Sequence, residues 1–200
     1  MNRKYFGNKN ITTTIFTAIV VILLLYFAYY SRRFESQWLS DNILSIFITL
    51  FFYFIHKKIE VTKVLYPFAL LIIIFHNLGT FGFYSKPFFG MEWDFVTHLY
   101  SGIILSLITY HYFNKKLSIK TLAKIILTVF VVMGFVALTE IIEVLGTFIY
   151  GPGEGFLHYG CGDLDLFDTQ TDLMYDFLGI FVGLGIYYLG FFIQKITRVL

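Results

Sequence analysis

Residues Ile11 to Tyr30, ITTTIFTAIVVILLLYFAYY, run for twenty positions without a charge, with Arg3, Lys4 and Lys9 before them and Arg32 and Arg33 after. About twenty apolar residues, rising 1.5 Å each, are what a helix needs to cross the ~30 Å hydrocarbon core of a bilayer. The stretch is longer than the apolar core of a cleaved signal peptide, and Phe-Ala-Tyr-Tyr-Ser is a poor cleavage site, so it is expected to be retained. Five further runs follow the same plan: Trp38 to Ile55, Leu65 to Tyr84, Trp93 to Phe113, Leu122 to Phe148 and Thr169 to Ile193. None alternates with a period of two, as barrel strands would. The expected fold is therefore all-α, a polytopic bundle of six transmembrane helices forming a single integral membrane domain over residues 1–200.

Composition agrees with this reading. The chain is 58% hydrophobic and only 14% charged, with a mean hydropathy of +0.73, whereas a soluble domain carries about 25% charged residues. One cysteine in 200 residues excludes a disulfide framework and a cysteine-based zinc knuckle. A net charge of +2 gives no footprint for nucleic acid.

The charges are distributed unevenly. In the six-span arrangement, twelve of the fifteen Lys and Arg residues fall at the termini, in the second-to-third connection (Lys57, Lys58, Lys63) and in the fourth-to-fifth connection (Lys115, Lys116, Lys120, Lys124). Arg32, Arg33 and Lys86 fall on the opposite side. Positive residues collect in the cytoplasm, so both termini are expected inside, in a multi-pass protein of the cytoplasmic (inner) membrane. Trp38 and Trp93 then fall at the outer interface, where aromatic belts form.

The acids show the reverse bias. Of thirteen carboxylates only Glu60 lies on the cytoplasmic side. Glu35, Asp41, Glu92 and Glu154 read as solvated loop charges. The other eight, Asp163 and Asp165 among them, gather toward the outer ends of the spans, and six stand in helical registers: Asp94 with His98 at i,i+4, Glu140 with Glu143 at i,i+3, and Asp168, Asp172 and Asp176 at i,i+4,i+8. His76 on the third run reaches a similar level, with Asn77 beside it as a candidate hydrogen-bond partner. A lone carboxylate near the bilayer centre costs about 2.5–3.5 kcal/mol or more, and no Lys or Arg stands at this depth to offset it. Clustered acids of this kind must share protons or hold a cation.

A divalent metal ion (zinc, manganese or iron) is the sharper expectation. His76, Asp94, His98, Glu140, Glu143, Asp172 and Asp176 form an imidazole and carboxylate donor set of the sort found in helix bundles. Ser101 reads as a packing or backbone-bonding residue, and Cys161 as an incidental thiol. The glycine-rich stretch from Gly151 to Phe167, containing His158, reads as a cover over the site. Gly179 and Gly183 form a small-xxx-small pair suited to close helix packing.

Trp93-Asp94 with His98, Glu140-x-x-Glu143 and Asp168-Thr-Gln-x-Asp172-x-x-x-Asp176-x-x-Gly179 together resemble the YjdF-like group of small inner-membrane proteins, in the VanZ-like neighbourhood. The resemblance covers roughly residues 65 to 190 and implies a polytopic helix bundle without an established activity.

The functional expectation is an outward-facing acidic pocket. It suits a metal-dependent membrane hydrolase acting on a lipid or a lipid-linked envelope precursor, with Glu140, Glu143 and Asp168 as catalytic carboxylates. Two alternatives stand beside it: a proton- or cation-coupled transporter, and a non-catalytic envelope or resistance factor. Orientation is tested directly by reporter fusions. Those after Lys58 and Lys116 should report cytoplasm and one within residues 151–162 the exterior, whereas a cytoplasmic signal from the last would refute the six-span arrangement.

Overall fold

The computed structural model describes residues 11–34, 38–85, 87–150 and 167–197. Six α-helices follow one another: α1 Ile11–Arg33, α2 Leu39–Ile55, α3 Leu65–Asn77, α4 Trp93–Lys116, α5 Thr121–Tyr150 and α6 Asp168–Thr197. The fold is all-helical, with a single bridge between Phe88 and Met91 as the only β pairing among the described residues. The readings placed on Glu35, Lys86, Glu154, His158, Cys161, Asp163 and Asp165 lie outside the described residues.

Three segments are long and apolar enough to cross a membrane: Ile11–Arg33, Thr121–Gly146 and Asp168–Gly190. At 17 residues α2 is shorter, and α3 has only 13. The third apolar run thus stays α-helical over only part of its length. Past Asn77 it tightens into 3-10 turns at Leu78–Phe81 and Phe83–Ser85. Two features mark the break: the Trp38 indole, from far back in the chain, occupies the place where a side chain at Gly79 would sit, and Gly82 adopts a left-handed φ of 75° that only glycine takes freely.

Polarity is inverted relative to a water-soluble bundle. Each helix keeps its outer faces apolar, with Phe54 and Phe130 72% exposed, while Thr17, Ser31, Asn42, Ser45, Thr49, Asn77, Ser106 and Thr128 are buried. On α1 the buried positions Thr13, Thr17, Val20, Leu24, Phe27 and Ser31 form one seam. Their spacings of three and four residues mark a single helix face. Hydroxyl and amide groups inside hydrogen-bond one another. Asn42 donates through Nδ2 to Ser31 and Thr80 at 3.0 and 2.9 Å; Asn77 donates to Ser45 at 2.7 Å and to the Ile73 carbonyl at 2.8 Å. Asn77 is therefore committed to α2 rather than to His76.

Several sequence expectations are corrected here. Asp41, read as a solvated loop charge, is buried in the first turn of α2, where the positive end of the helix dipole favours a carboxylate. Trp38 and Trp93, read as interfacial, are both packed inside. Trp93 can be buried because its indole N–H donates to the Phe75 carbonyl at 3.0 Å. His56 is likewise buried, with Nδ1 2.6 Å from the Tyr53 carbonyl.

The helices form two triads. Val20, Leu24, Phe27, Tyr66 and Leu70 form the core of the first, from α1 and α3 with α2 packed alongside. Tyr110, Val132, Val136, Ile180 and Leu184 form the core of the second, from α4, α5 and α6. Ala69 of α3 joins them through Ile104, Leu107 and Ile108 of α4. At one end Glu60 bridges Lys115 at 3.2 Å and Lys116 at 2.8 Å, tying the α2–α3 connection to the end of α4. The hydrogen bonds and charges of Lys116 and Lys115 hold the Glu60 carboxyl below its ordinary range.

The most extensive helix contact is between α4 and α6. A methyl group on Gly102 would overlap the Asp176 carbonyl, one on Gly179 the Leu99 carbonyl, and one on Gly183 the Ser106 hydroxyl and the Ile103 carbonyl. Each backbone thus rests directly on the other. By contrast, nothing lies within 4 Å of a side chain added at Gly134 of α5. Gly179→Leu and Gly183→Leu should each destabilise the protein by about 1–3 kcal/mol or more through overpacking. Gly134→Ala should be neutral or stabilise it by up to about 1 kcal/mol through helix entropy. Thermal unfolding in detergent checks the contrast, and equal losses at all three positions would contradict the close contact.

Candidate metal centre

Asp94, His98 and Ser101 occupy one face of α4 at i,i+4,i+7, directly opposite the α6 face that carries Asp172 and Asp176. The glycine contact brings these faces to hydrogen-bond distance. Asp176, fully buried, accepts from His98 Nδ1 at 2.6 Å through Oδ2 and from the Ser101 hydroxyl at 2.7 Å through Oδ1. Both oxygens of Asp176 are thereby engaged behind the imidazole, on the side away from the other acids. The Ser101 hydroxyl also lies 2.9 Å from the His98 carbonyl. Its packing role is real, but it additionally anchors Asp176.

With Nδ1 held by Asp176, the His98 Nε2 faces three helices at once. It lies 3.4 Å from Asp94 Oδ1, 3.9 Å from Glu140 Oε1 and 3.9 Å from Asp172 Oδ1. Donor atoms of Asp94 and His98 from α4 and Asp172 from α6 all lie within 4.8 Å of one another, and Glu140 of α5 approaches the same imidazole nitrogen. The separations exceed the 2.7–3.2 Å of good N–H···O hydrogen bonds. Four ligands at 2.0–2.2 Å around a tetrahedral ion stand about 3.3–3.6 Å apart, close to what is seen. Asp94 Oδ1 and Asp172 Oδ1 are buried atoms that accept no hydrogen bond among the described residues, as befits oxygens directed at a cation. The Asp94, His98 and Asp172 group could hold a metal ion on donor spacing alone.

The remaining expected residues are placed as follows. Glu143 is buried one turn beyond Glu140. Asp168 opens α6, half-buried, one turn before Asp172. His76 ends α3 with its ring packed on Trp38, centroids 5.4 Å apart, and is not one of the groups facing His98 Nε2. Among the described residues, Lys and Arg are confined to the helix ends and connections. What sequence reasoning missed is the division of labour within the acids: Asp176 and Ser101 grip the back of His98, while Asp94, Glu140 and Asp172 face its front. The i,i+4 register of Asp172 and Asp176 places both on one face without telling which nitrogen each meets.

The chain belongs to the family described as predicted membrane protein (DUF2238), which it matches over residues 12–191. That span contains all six helices except the ends of the first and last. No curated protein matches the chain. No solved structure matches it either.

If the donor set works as its spacing suggests, the two kinds of position respond differently. His98→Ala and Asp172→Asn should remove a stoichiometric divalent ion from protein purified without chelators. Asp176→Asn should retain the ion but weaken its affinity by about 10–100-fold, the usual effect of losing the carboxylate behind a metal-binding histidine. Elemental analysis and competition with a chelating dye measure both. Metal-free wild-type protein after zinc, manganese and iron supplementation would exclude the centre.

Proposed function

We propose that this protein crosses the cytoplasmic membrane six times with both termini inside, and that the His98 cluster is a metal-dependent hydrolytic centre facing the extracytoplasmic side. Its substrate would be a lipid or a lipid-linked envelope precursor. The observation that supports this best is the mutual closeness of Asp94, His98 and Asp172, with His98 Nε2 3.4–3.9 Å from Asp94, Glu140 and Asp172 and Nδ1 of the same ring held at 2.6 Å by Asp176. The carboxylate behind the histidine fixes the ring's tautomer and orientation, the arrangement metal-binding histidines adopt. The Asp168-Thr-Gln-x-Asp172 element, the most specific part of the likeness to the YjdF-like group, supplies one of these ligands.

A bound divalent cation would supply Lewis acidity, a counter-charge for phosphate and a lowered pKa for water. The chain supplies the rest. Asp94, His98 and Asp172 would hold the ion, with Glu140 beside them. Glu143, buried beside them, takes a proton from the attacking water as its oxygen bonds to phosphorus or to an acyl carbon. Asp168, at the start of α6, returns a proton to the leaving alkoxide as the scissile bond breaks. With no Lys or Arg in this layer, a phosphate would be held through the ion rather than by a side-chain cation.

The inner half of the second triad favours an enzyme over a transporter. Below the cluster Val132, Val136, Ile180 and Leu184 pack together, leaving no line of ionisable groups toward the other face. Two measurements test the reading. Glu143→Gln should lower hydrolysis by about 10²–10⁴-fold while keeping the metal, as expected for loss of a general base. In a Cys161→Ser background, Thr97→Cys should react with an impermeant thiol reagent from outside, while buried Ile104→Cys should stay protected from both faces. Labelling of Ile104→Cys from the cytoplasmic side would favour transport instead.

A further inference from the structure

Between the second 3-10 turn and α4 the chain makes a two-residue hairpin. The Phe88 N–H donates to the Met91 carbonyl at 2.7 Å and the Met91 N–H to the Phe88 carbonyl at 3.1 Å. Phe89 and Gly90, at the tip, both have positive φ, 51° and 81°. Turns of this kind favour Asn, Asp or Gly at their central positions, because a bulky side chain is strained in the left-handed region. Here the first position holds a phenylalanine that is 92% exposed. A tip facing water would gain twice from asparagine, through a relaxed backbone and a solvated side chain. Instead Pro87-Phe88-Phe89-Gly90-Met91 carries no polar side chain between Lys86 and Glu92, and Phe88 and Met91 are themselves 41% and 39% exposed.

The helices fix the height at which this tip stands. His98 meets Asp176 and Tyr110 meets Tyr188, both 78 residues apart, so α4 and α6 keep one register along their shared length. At that offset Trp93, the first residue of α4, is level with Thr171. The hairpin just before it therefore stands where α6 begins, at the start of the segment Asp168–Gly190 that is long and apolar enough to cross a membrane. Phe167, the residue before α6, is 63% exposed. On α5, which runs the other way, Glu140 faces His98; Phe148, eight residues on, passes the level of Trp93 and is 79% exposed. Three exposed phenylalanines from three separate segments thus share the height at which a membrane-crossing helix begins. The tryptophans that commonly mark such a boundary are packed inside.

We infer that Phe89, Phe148 and Phe167 form a lipid-anchoring rim, with the hairpin tip inserted at the boundary between head groups and acyl chains, in the leaflet at the His98 end of the bundle. The occupant of this surface is the bilayer itself. The rim is continuous with the apolar outer faces of α5 and α6, where Leu145 is 52% and Met174 65% exposed, and apolar anchors settle about 5–10 Å into that boundary. The anchor also bears on the candidate site. The Phe88 ring packs edge-on against Trp93, centroids 5.1 Å apart, and Trp93 immediately precedes Asp94, so the depth of the hairpin sets the height at which α4 starts.

The test uses the full-length protein in a Cys161→Ser background, reconstituted in phospholipid vesicles, with a nitrobenzoxadiazole probe on Phe89→Cys. Ile22→Cys in the middle of α1 and Lys120→Cys in the α4–α5 connection, both exposed, serve as the hydrocarbon and water references. Lipids brominated near the head group should quench the Phe89→Cys probe about twofold or more beyond lipids brominated near the chain end, with the order reversed for Ile22→Cys. Iodide on both faces should quench it several-fold less than Lys120→Cys. Probes on Phe148→Cys and Phe167→Cys should follow Phe89→Cys. Since the cysteine removes the ring, Phe89→Trp gives an independent reading: its emission, above that of the buried Trp38 and Trp93, should show the same preference for head-group bromine. Iodide quenching as strong as at Lys120→Cys would put the tip in water and overturn the inference. Stronger quenching by chain-end bromine would also overturn it, as would shielding from bromine and iodide alike, the sign that protein rather than lipid covers the rim.

Discussion

The backbone contact between α4 and α6 is the constraint from which the site follows. Because Gly102, Gly179 and Gly183 leave no side chain between the helices, Asp176 on α6 can reach both His98 and Ser101 on α4 at 2.6 and 2.7 Å. Larger residues at these positions would separate the helix axes, and a hydrogen bond is lost within a few tenths of an ångström. In a bilayer there is no hydrophobic effect to press helices together, so close van der Waals contact and interhelical hydrogen bonds must do so. Here one seam supplies both. The glycines bring the backbones together, and the polar triad they admit locks rotation of α6 about its axis.

That lock decides which faces of the acids meet. α5 returns the chain, so α4 and α6 run in the same direction and their N-terminal turns lie at one end of the second triad. Asp94 is in the first turn of α4 and Asp168 in the first turn of α6, where unsatisfied backbone N–H groups and the helix dipole favour negative charge. The effect fades beyond a turn. It eases the burden on the outermost carboxylates but not on Glu140, twenty residues into α5, nor on Asp172 and Asp176. For those deeper groups a shared imidazole and a cation are the available compensation, since the described Lys and Arg residues stand at helix ends and connections.

Much of this was legible in the sequence because lipid exposure makes helices apolar on every side. Long, strongly apolar runs therefore mark α1, α5 and α6 without any need for an amphipathic pattern. The same feature hides what lies inside. When the outer faces are as apolar as the inner ones, periodicity cannot tell a buried Leu24 from an exposed Leu25, and only the polar residues betray the inner face. Where they are periodic, as in Asp94 and His98 or Asp172 and Asp176, the face was readable. Where fit depends on a distant residue, it was not. The Trp38 indole filling the space beside Gly79 cuts α3 short, yet Gly79 sits in an otherwise unbroken apolar run. Asp41 looks like a loop charge because a helix start beside Ser40 and Asn42 reads as a polar connection, and its burial depends on neighbours far along the chain. The roles of Asp176 and Ser101 were likewise invisible, since two acids on one face are equivalent until the partner helix is positioned.

The two triads differ in what they can do. In the first, Ser31, Asn42, Ser45, Asn77 and Thr80 bond mainly to one another across α1, α2 and the 3-10 turn, a polar seam that holds helices together without gathering charge. In the second, charge is concentrated at one end, and the remainder is closed by Val132, Val136, Ile180 and Leu184. Beyond that plug the tyrosine hydroxyls of Tyr110 and Tyr188 pair with each other, satisfying the next polar groups along the helices. A route for ions through the bundle would require these groups to separate and the apolar layer to wet. The cluster lies at the end of the triad where α4 and α6 begin, and the glycine seam between these helices holds the geometry around His98.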